Sequence, residues 1–259
     1  MQKGKPAEQI GVLLAQLGTP AAPTPRALRP YLREFLSDPR VIDLPRLKWL
    51  PILYLAILPR RPARSARLYE RIWRPEGSPL MIHSRAQEEG LQQCLGSAYR
   101  VVLGMRYGHP SIETALQTLV AAQIDRILVF PMFPQFSAST TGSVYDAVTR
   151  AALGRRCPLF FDRRRRMPTL RFVPPYYDHS AYIGALKQIL CEQIEARGRE
   201  PDRYLITFHG IPQRYVDEGD PYRHHCEETA RLLADALQLS REQWICGFQS
   251  RFGKEPWLE

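Results

Sequence analysis

The chain has 259 residues, 44% of them hydrophobic and 24% charged, and a formal net charge of +10. That length allows one large domain or two of ordinary size, with apolar content enough for cores that need no covalent staples. The five cysteines, Cys94, Cys157, Cys191, Cys226 and Cys246, are odd in number and never spaced C-x-x-C, which argues against a disulfide framework and for a reducing, cytoplasmic setting.

Met1 to Glu8 is polar. The first apolar run, Ile10 to Leu17, is too short for a secretory signal core followed by a cleavage site, and reads as a strand closed by Gly18-Thr19-Pro20. Leu44 to Leu58 is apolar but carries Pro45, Pro51, Arg46 and Lys48, and its uninterrupted part is far below the ~20 residues of a membrane span. It reads as a buried helix, as the lip of a ligand cleft, or as an interfacial segment anchored by Trp49 and the arginines from Arg60 on. Arg100 to Tyr107 is the second strand. Ile112, Ala115, Leu116, Leu119 and Val120 follow the helix period behind the start signal Pro110-Ser111. Arg126 to Pro131 is the third strand.

The stretch Arg155 to Pro175 combines Arg155-Arg156 and Arg163 to Arg166 with four prolines. It reads as the crossing between two α/β domains, 1–157 and 158–259. Beyond it come a helical stripe (Ile183, Leu186, Leu190, Ile194), a strand at Tyr204 to Phe208, a helix after Tyr222 in which Glu227 and Arg231 stand in i,i+4 order, and a strand at Gln243 to Phe248. Near-continuous apolar runs suit parallel strands covered on both faces, and their alternation with helices means βαβ units. The basic runs lie apart, with no RNA- or DNA-binding signature, so no nucleic-acid partner is expected.

Residues that follow strands reach the crevice at the carboxyl edge of a parallel sheet, where open α/β proteins hold ligands. His209 stands where its strand stops, ahead of Gly210 and Pro212. An imidazole there can take up or release a proton, or ligate a metal, near neutral pH. Arg106, at another strand end, can hold a carboxylate as a fork or pair within the fold. The hydroxyls of Ser137 to Ser143 can cap a helix over Val144 to Leu153 or meet an anion at its start. Asp220 reads as the cap of the helix near Tyr222. His179, His224 and His225 lie in polar, helix-like surroundings and are expected to be exposed. No zinc-site spacing is present, and neither a G-x-x-x-x-G-K-[ST] nor a G-x-G-x-x-G phosphate loop occurs.

Six motifs occur in the order of one family: Gln16-Leu-Gly-Thr-Pro20; Glu76-Gly-Ser-Pro79; Gly104-Met-Arg-Tyr107; Phe133 to Ser143; Phe208 to Tyr215 with Gly219-Asp-Pro-Tyr222; and Phe248 to Leu258. On these the chain resembles ferrochelatase, which inserts ferrous iron into a porphyrin to make haem. The resemblance implies an α/β fold of two Rossmann-like domains, parallel sheets flanked by helices, with the porphyrin cleft between them. It implies that His209 is the catalytic, iron-facing histidine and a metal ligand. Arg61, Tyr69 and Ser78 would meet the porphyrin propionates at the cleft mouth, and Arg106, Phe133, Ser139 and Thr140 would line the cleft or the metal's path. The lip would lie near 44–79. Protoporphyrin IX and Fe²⁺ are the substrates so implied, with no cofactor required; some members carry an iron–sulfur cluster on cysteines near the family's C-terminal end. The family's second cleft ligand, a glutamate, lies beyond Glu259, where this chain stops inside a shared motif. The alternatives are a related chelatase for another metal or tetrapyrrole, and a tetrapyrrole-binding protein without turnover. A peripheral membrane contact through the lip is a further expectation.

Overall fold

A computed structural model describes residues 9–154, 156–157, 160–161, 167–251, 253 and 255–259. The polar start Met1 to Glu8, Arg155, Arg163 to Arg166 and the Pro158 side of the expected domain crossing lie outside the described residues. The chain forms two compact units. The first runs up to Phe133 and resumes over Ala138–Val173; the second joins Pro134–Ser137 to Pro174–Glu259.

The first unit is built on β1 (Ile10–Thr19), β2 (Tyr99–Gly108), β3 (Arg126–Pro131) and β6 (Thr169–Phe172), a sheet of order β2-β1-β3-β6 with every pairing parallel. Two short strands, β4 (Arg156–Cys157) and β5 (Phe160–Phe161), pair antiparallel with each other before β6. Helices cover both faces of the sheet, as the unbroken apolar runs require. Leu13 and Ala15 of β1 join a core with α5 (Ile112–Ala121) and α6 (Ser143–Leu153), while Val12 and Leu14 pack with side chains of α4 (Pro79–Leu95).

β6 corrects the expected boundary at 157/158. It adds to β3 in register from Arg126↔Thr169 to Val129↔Phe172, and Leu170 and Phe172 pack on the first core. The cause is its period-two pattern, Thr-Leu-Arg-Phe, with one apolar side and one polar side. Four residues between prolines and arginines show little of that pattern in sequence.

β2 lies at the edge of the sheet, where its amides would be left open to any other strand. Side chains of α4 fill them. Leu103 N–H donates to Glu88 Oε1 (2.8 Å) and Val101 N–H to Gln92 Oε1 (2.9 Å), while Gln92 Nε2 donates to the Tyr99 carbonyl (3.1 Å). At their carboxyl ends β1 and β2 approach so closely that a Cβ on Gly18 would sit 1.8 Å from the Tyr107 carbonyl oxygen, and Gly18 has φ +109. A Cβ on Gly108 (φ +88) would meet the Thr19 carbonyl at 2.6 Å. Only glycine tolerates both demands.

The Leu44 to Leu58 stretch is not simply buried. It becomes α2 (Arg46–Ile52), a π-helical segment (Leu53–Ile57) and the start of α3 (Leu58–Ile72). Trp49, Leu53 and Leu58 join a core beside α1 (Pro25–Leu36), and Trp49 Nε1 donates to the Leu36 carbonyl (2.6 Å). Leu47 and Leu55 point the other way, 92% and 77% exposed. Among the described residues no helix is long and apolar enough to cross a membrane.

In the second unit β7 (Tyr204–His209) and β8 (Trp244–Gln249) pair in parallel, with α7 (Ser180–Arg197), α8 (Gln213–Asp217) and α9 (Tyr222–Ala236). Here the expectation of two covered faces does not hold: Leu205 and Ile245, partners in register, are 69% and 51% exposed. The expected Glu227–Arg231 pair is also not formed. Arg231 takes Glu228 and Asp235 instead, both at 2.6 Å, and Glu227 pairs with Arg223 at 2.8 Å.

Replacing Gly18 by alanine forces a backbone rearrangement at the junction of β1 and β2. We expect a loss of roughly 3 kcal/mol or more in urea denaturation, against a gain of up to about 1 kcal/mol for Gly90→Ala, where a Cβ meets nothing within 4 Å and helix propensity favours the change.

Candidate functional site

The carboxyl ends of β1 and β2 border a cavity of about 920 Å³ in the first unit, with Tyr31, Asp38, Tyr54, Trp73, Ser78 and Arg106 in its wall. Asp38 is only 5% exposed. Its Oδ2 accepts from Arg106 Nη2, from the Tyr107 hydroxyl (2.8 Å) and from the Ser143 hydroxyl (2.5 Å); its Oδ1 accepts the Arg40 N–H (2.8 Å). Each hydroxyl has a single proton and both give it to Asp38. Burial by itself would raise the Asp38 carboxyl. The donors from Ser143, Arg40, Arg106 and Tyr107 outweigh it and hold the group below the usual carboxylate range. Burial raises the Tyr107 phenol in turn.

The candidate residues of the first unit take these places. Arg106 spends its fork inside the fold: Nε donates to Ser143 Oγ (2.6 Å) and to the Ser143 carbonyl (3.0 Å), and Nη2 pairs with Asp38. Pairing thus prevails over an open fork, although the side chain still borders the cavity. Ser78 is 3% exposed and is the N-cap of α4, accepting the Met81 N–H at 3.2 Å. Tyr69 packs against the core around Trp49 and stands edge-on to Trp73 at 6.2 Å. Arg61 is half-buried on the same helix, α3. Phe133 packs on the core around Leu13.

Ser139 and Thr140 are half-buried in a π-helical turn, Ala138–Gly142, that leads into α6. The expected hydroxyl cap is absent: Gly142 takes the cap position and gives α6 no side-chain bond. The widened turn continues directly into the helix, and the Ser143 hydroxyl is already committed to Asp38.

His209 belongs to the second unit. It is exposed at the carboxyl end of β7, beside Gln249 of β8, with its ring 6.3 Å from that of Trp257. Its Nδ1 lies 2.7 Å from the Gly210 carbonyl. A carbonyl only accepts, so Nδ1 carries the proton and Nε2 presents its lone pair. The backbone beneath is pinned: Gly210 N–H donates to the Gln249 carbonyl (2.6 Å) and Leu258 N–H to the Ile211 carbonyl (3.0 Å).

His225 departs from the exposure expected of it. It is half-buried, stacked on Tyr177 (3.8 Å, 11°), and its Nδ1 accepts the Phe136 N–H at 3.1 Å. The other two histidines expected to be exposed are so: His179 is an exposed N-cap of α7 and His224 is exposed. Burial lowers the His225 pKa, His224 lowers it further, and Asp178 and Asp220 oppose the shift. Asp220 accepts the Tyr222 N–H at the start of α9 (3.0 Å), as expected, and also the Ser137 hydroxyl (2.9 Å). Gln135 Nε2 donates to Thr229 Oγ1 (3.0 Å). The segment 134–137 is thus fastened residue by residue to the helices of its own unit. Of the four described cysteines only Cys226 is buried, and burial pushes its thiol up to about 12.

The ferrochelatase family model matches residues 9–259. The chain belongs to the ferrochelatase family. It is 47% identical over 251 residues to the ferrochelatase of Sodalis glossinidius (strain morsitans), covering 97% of this chain and 72% of that protein. It is 48% identical over 250 residues to the ferrochelatase of Escherichia coli (strain SMS-3-5 / SECEC), covering 96% of this chain and 75% of that one. His209 stands at a strand end as the sequence indicates, whereas Asp38 is not among the residues singled out from sequence and His225 is read there only as an exposed histidine. Ser37-Asp38-Pro39 reads as an ordinary helix exit, and the Arg40 N–H to Asp38 bond is indeed a local turn. The long-range donors on β2 and α6 could not be read from it.

His225 makes the second unit acid-sensitive. Below the ordinary histidine range the unfolded chain takes a proton that folded His225 resists, so stability falls as pH drops from neutral toward the lowered folded value. His225→Asn should flatten that slope in denaturation profiles between about pH 5 and pH 7.

Proposed function

We infer that this protein inserts ferrous iron into protoporphyrin IX to form protohaem, a metal-inserting lyase reaction. A free porphyrin is flat, and two pyrrole N–H protons occupy the place of the metal. Insertion replaces them: Fe²⁺ enters, two protons leave, and no electron is transferred. A site for this must bend the ring so that nitrogen lone pairs point out of plane, and must then take the protons.

His209 is our candidate for the proton acceptor, and one observation carries that choice. The Gly210 carbonyl holds Nδ1–H, which leaves the lone pair on Nε2 of an exposed ring. The same carbonyl stabilises the imidazolium that forms when Nε2 takes a pyrrole proton. We propose Arg61, Tyr69 and Ser78 for the propionate end of the ring, and Phe133, Ser139, Thr140 and Arg106 for its walls or the metal's path; the shared border of Ser78 and Arg106 on one cavity supports this grouping. Anaerobic incubation with Fe²⁺ and protoporphyrin should collapse the four visible bands of the free base to the two of a metalloporphyrin. His209→Ala should lower that rate by roughly 100-fold or more while porphyrin fluorescence titrations stay within about twofold of the parent. Unchanged turnover would remove His209 from the chemistry. Faster insertion of cobalt or nickel than iron would favour a related chelatase, and porphyrin binding without any metallation would favour a carrier.

We also propose that the α2–α3 region touches an anionic bilayer. Leu47, Ile52, Tyr54 and Leu55 are exposed there. On α3 the exposed Arg60, Arg64, Arg67 and Arg71 recur at spacings of four, three and four, which places them in one row along the helix. Exposed apolar side chains beside a basic row fit a charged membrane surface. Each arginine near such a surface contributes about 1 kcal/mol. Arg64→Ala with Arg67→Ala should therefore weaken flotation with phosphatidylglycerol vesicles about 30-fold and leave binding to neutral vesicles unchanged.

A further inference from the structure

We propose that Asp38 is a positioning residue for metal insertion, acting through Ser143 and Arg106 on the π-helical turn that carries Ser139 and Thr140. The proposal rests on the chelatase reading and deepens it. Asp38 and Arg40, two residues apart, clamp the first turn of α6 at two points. Asp38 accepts the Ser143 hydroxyl, and Arg40 forks onto Asp146 through Nε (2.8 Å) and Nη2 (3.2 Å). Ser143 and Asp146 stand three residues apart on one face of the helix. The clamp fixes the residues at which the Ala138–Gly142 turn enters α6, and so the direction in which that turn presents its side chains.

The same carboxylate orients β2. Arg106 and Tyr107 are consecutive at its carboxyl end, and both reach Asp38. One buried charge therefore joins three segments that border cavities of the first unit: the exit of α1, the end of β2 and the start of α6. Stability alone is a weak account of it. Buried ion pairs are often replaced by apolar side chains of similar volume without loss of stability, whereas an apolar side chain could not set the direction of Arg106 or of the Ser143 hydroxyl. Asp38 touches neither iron nor porphyrin in this scheme, and its effect passes entirely through the groups it holds.

The test compares Asp38→Asn and Arg40→Gln with the parent protein in metal insertion, varying metal and porphyrin separately and normalising to folded protein by circular dichroism. Arg40 and Asp146 form a partly exposed pair, and such pairs contribute little to stability, so Arg40→Gln keeps the question open even where Asp38→Asn folds poorly. Displacing a reactive group by about 1 Å can cost a hundredfold in rate. We expect kcat to fall roughly 10- to 100-fold in Asp38→Asn and about threefold in Arg40→Gln, with the KM for porphyrin within about twofold of the parent in both. Wild-type kcat per folded molecule in both variants overturns the proposal, even if Tm drops. A parent protein that binds porphyrin without inserting metal sinks the chelatase reading instead. The clamp is then judged by amide hydrogen exchange over residues 138–143: faster exchange in Asp38→Asn supports it and unchanged exchange overturns it.

Discussion

All strands of a parallel sheet end on the same edge, and this constraint orders everything else here. Within a strand covered by two helical layers, side chains have no freedom to meet a ligand. Just past the last hydrogen-bonded pair they do. Thr19 at the end of β1, Arg106 and Tyr107 at the end of β2, Phe133 after β3 and His209 at the end of β7 all stand at such ends. The closeness of β1 and β2 there, which only Gly18 and Gly108 permit, lets Thr19 and Arg106 share one cavity wall. The glycines of Gln16-Leu-Gly-Thr-Pro20 and of the stretch after Met105 are therefore a geometric requirement of the site as much as of the fold.

A buried carboxylate is the electrostatic counterpart of that constraint. Asp38 is charged in a place that would otherwise oppose charge, because its donors are already in position when the fold closes. Its lowered pKa means that its contribution is present above the unfolded carboxylate value and is lost as pH falls through the folded one. The first unit thus couples to acid through a carboxylate at low pH. The second couples nearer neutrality through His225, whose shift has the same downward sign but a different cause, the cost of burying a cation.

The elements legible in sequence were those whose signal is local. Arg126 to Pro131 is a strand with the same ends in both readings, and Ser111 caps α5 as its sequence indicates. His209 was legible because a strand end is marked by glycine and proline. What escaped has a non-local cause. β6 exists because β3 offers it an edge. The cap position of α6 falls to Gly142 because the π-helical turn runs straight into the helix, whose first residue, Ser143, gives its hydroxyl to Asp38, more than a hundred residues earlier. Arg231 chose Glu228 and Asp235 over Glu227 because two carboxylates within reach of one fork outweigh a single i,i+4 partner. The lip segment misled for a different reason. Composition reports that it is apolar, but which of its leucines face inward depends on the π-helical shift at Leu53–Ile57, which rotates the face that follows.

His209 and His225 show how little a residue type says until its partner is known. Both sit in the second unit, and each uses Nδ1. At His209 the partner is a carbonyl, which forces the proton onto Nδ1 and leaves the lone pair on Nε2. At His225 the partner is the Phe136 N–H, which forces the lone pair onto Nδ1 and the proton onto Nε2. The two neutral tautomers are opposite. Protonating the first adds a proton at Nε2 and keeps its hydrogen bond; protonating the second destroys one of the bonds that tie down segment 134–137. One imidazole can therefore gain a proton without losing its partner and the other cannot, and the distinction is made by two backbone groups rather than by either side chain.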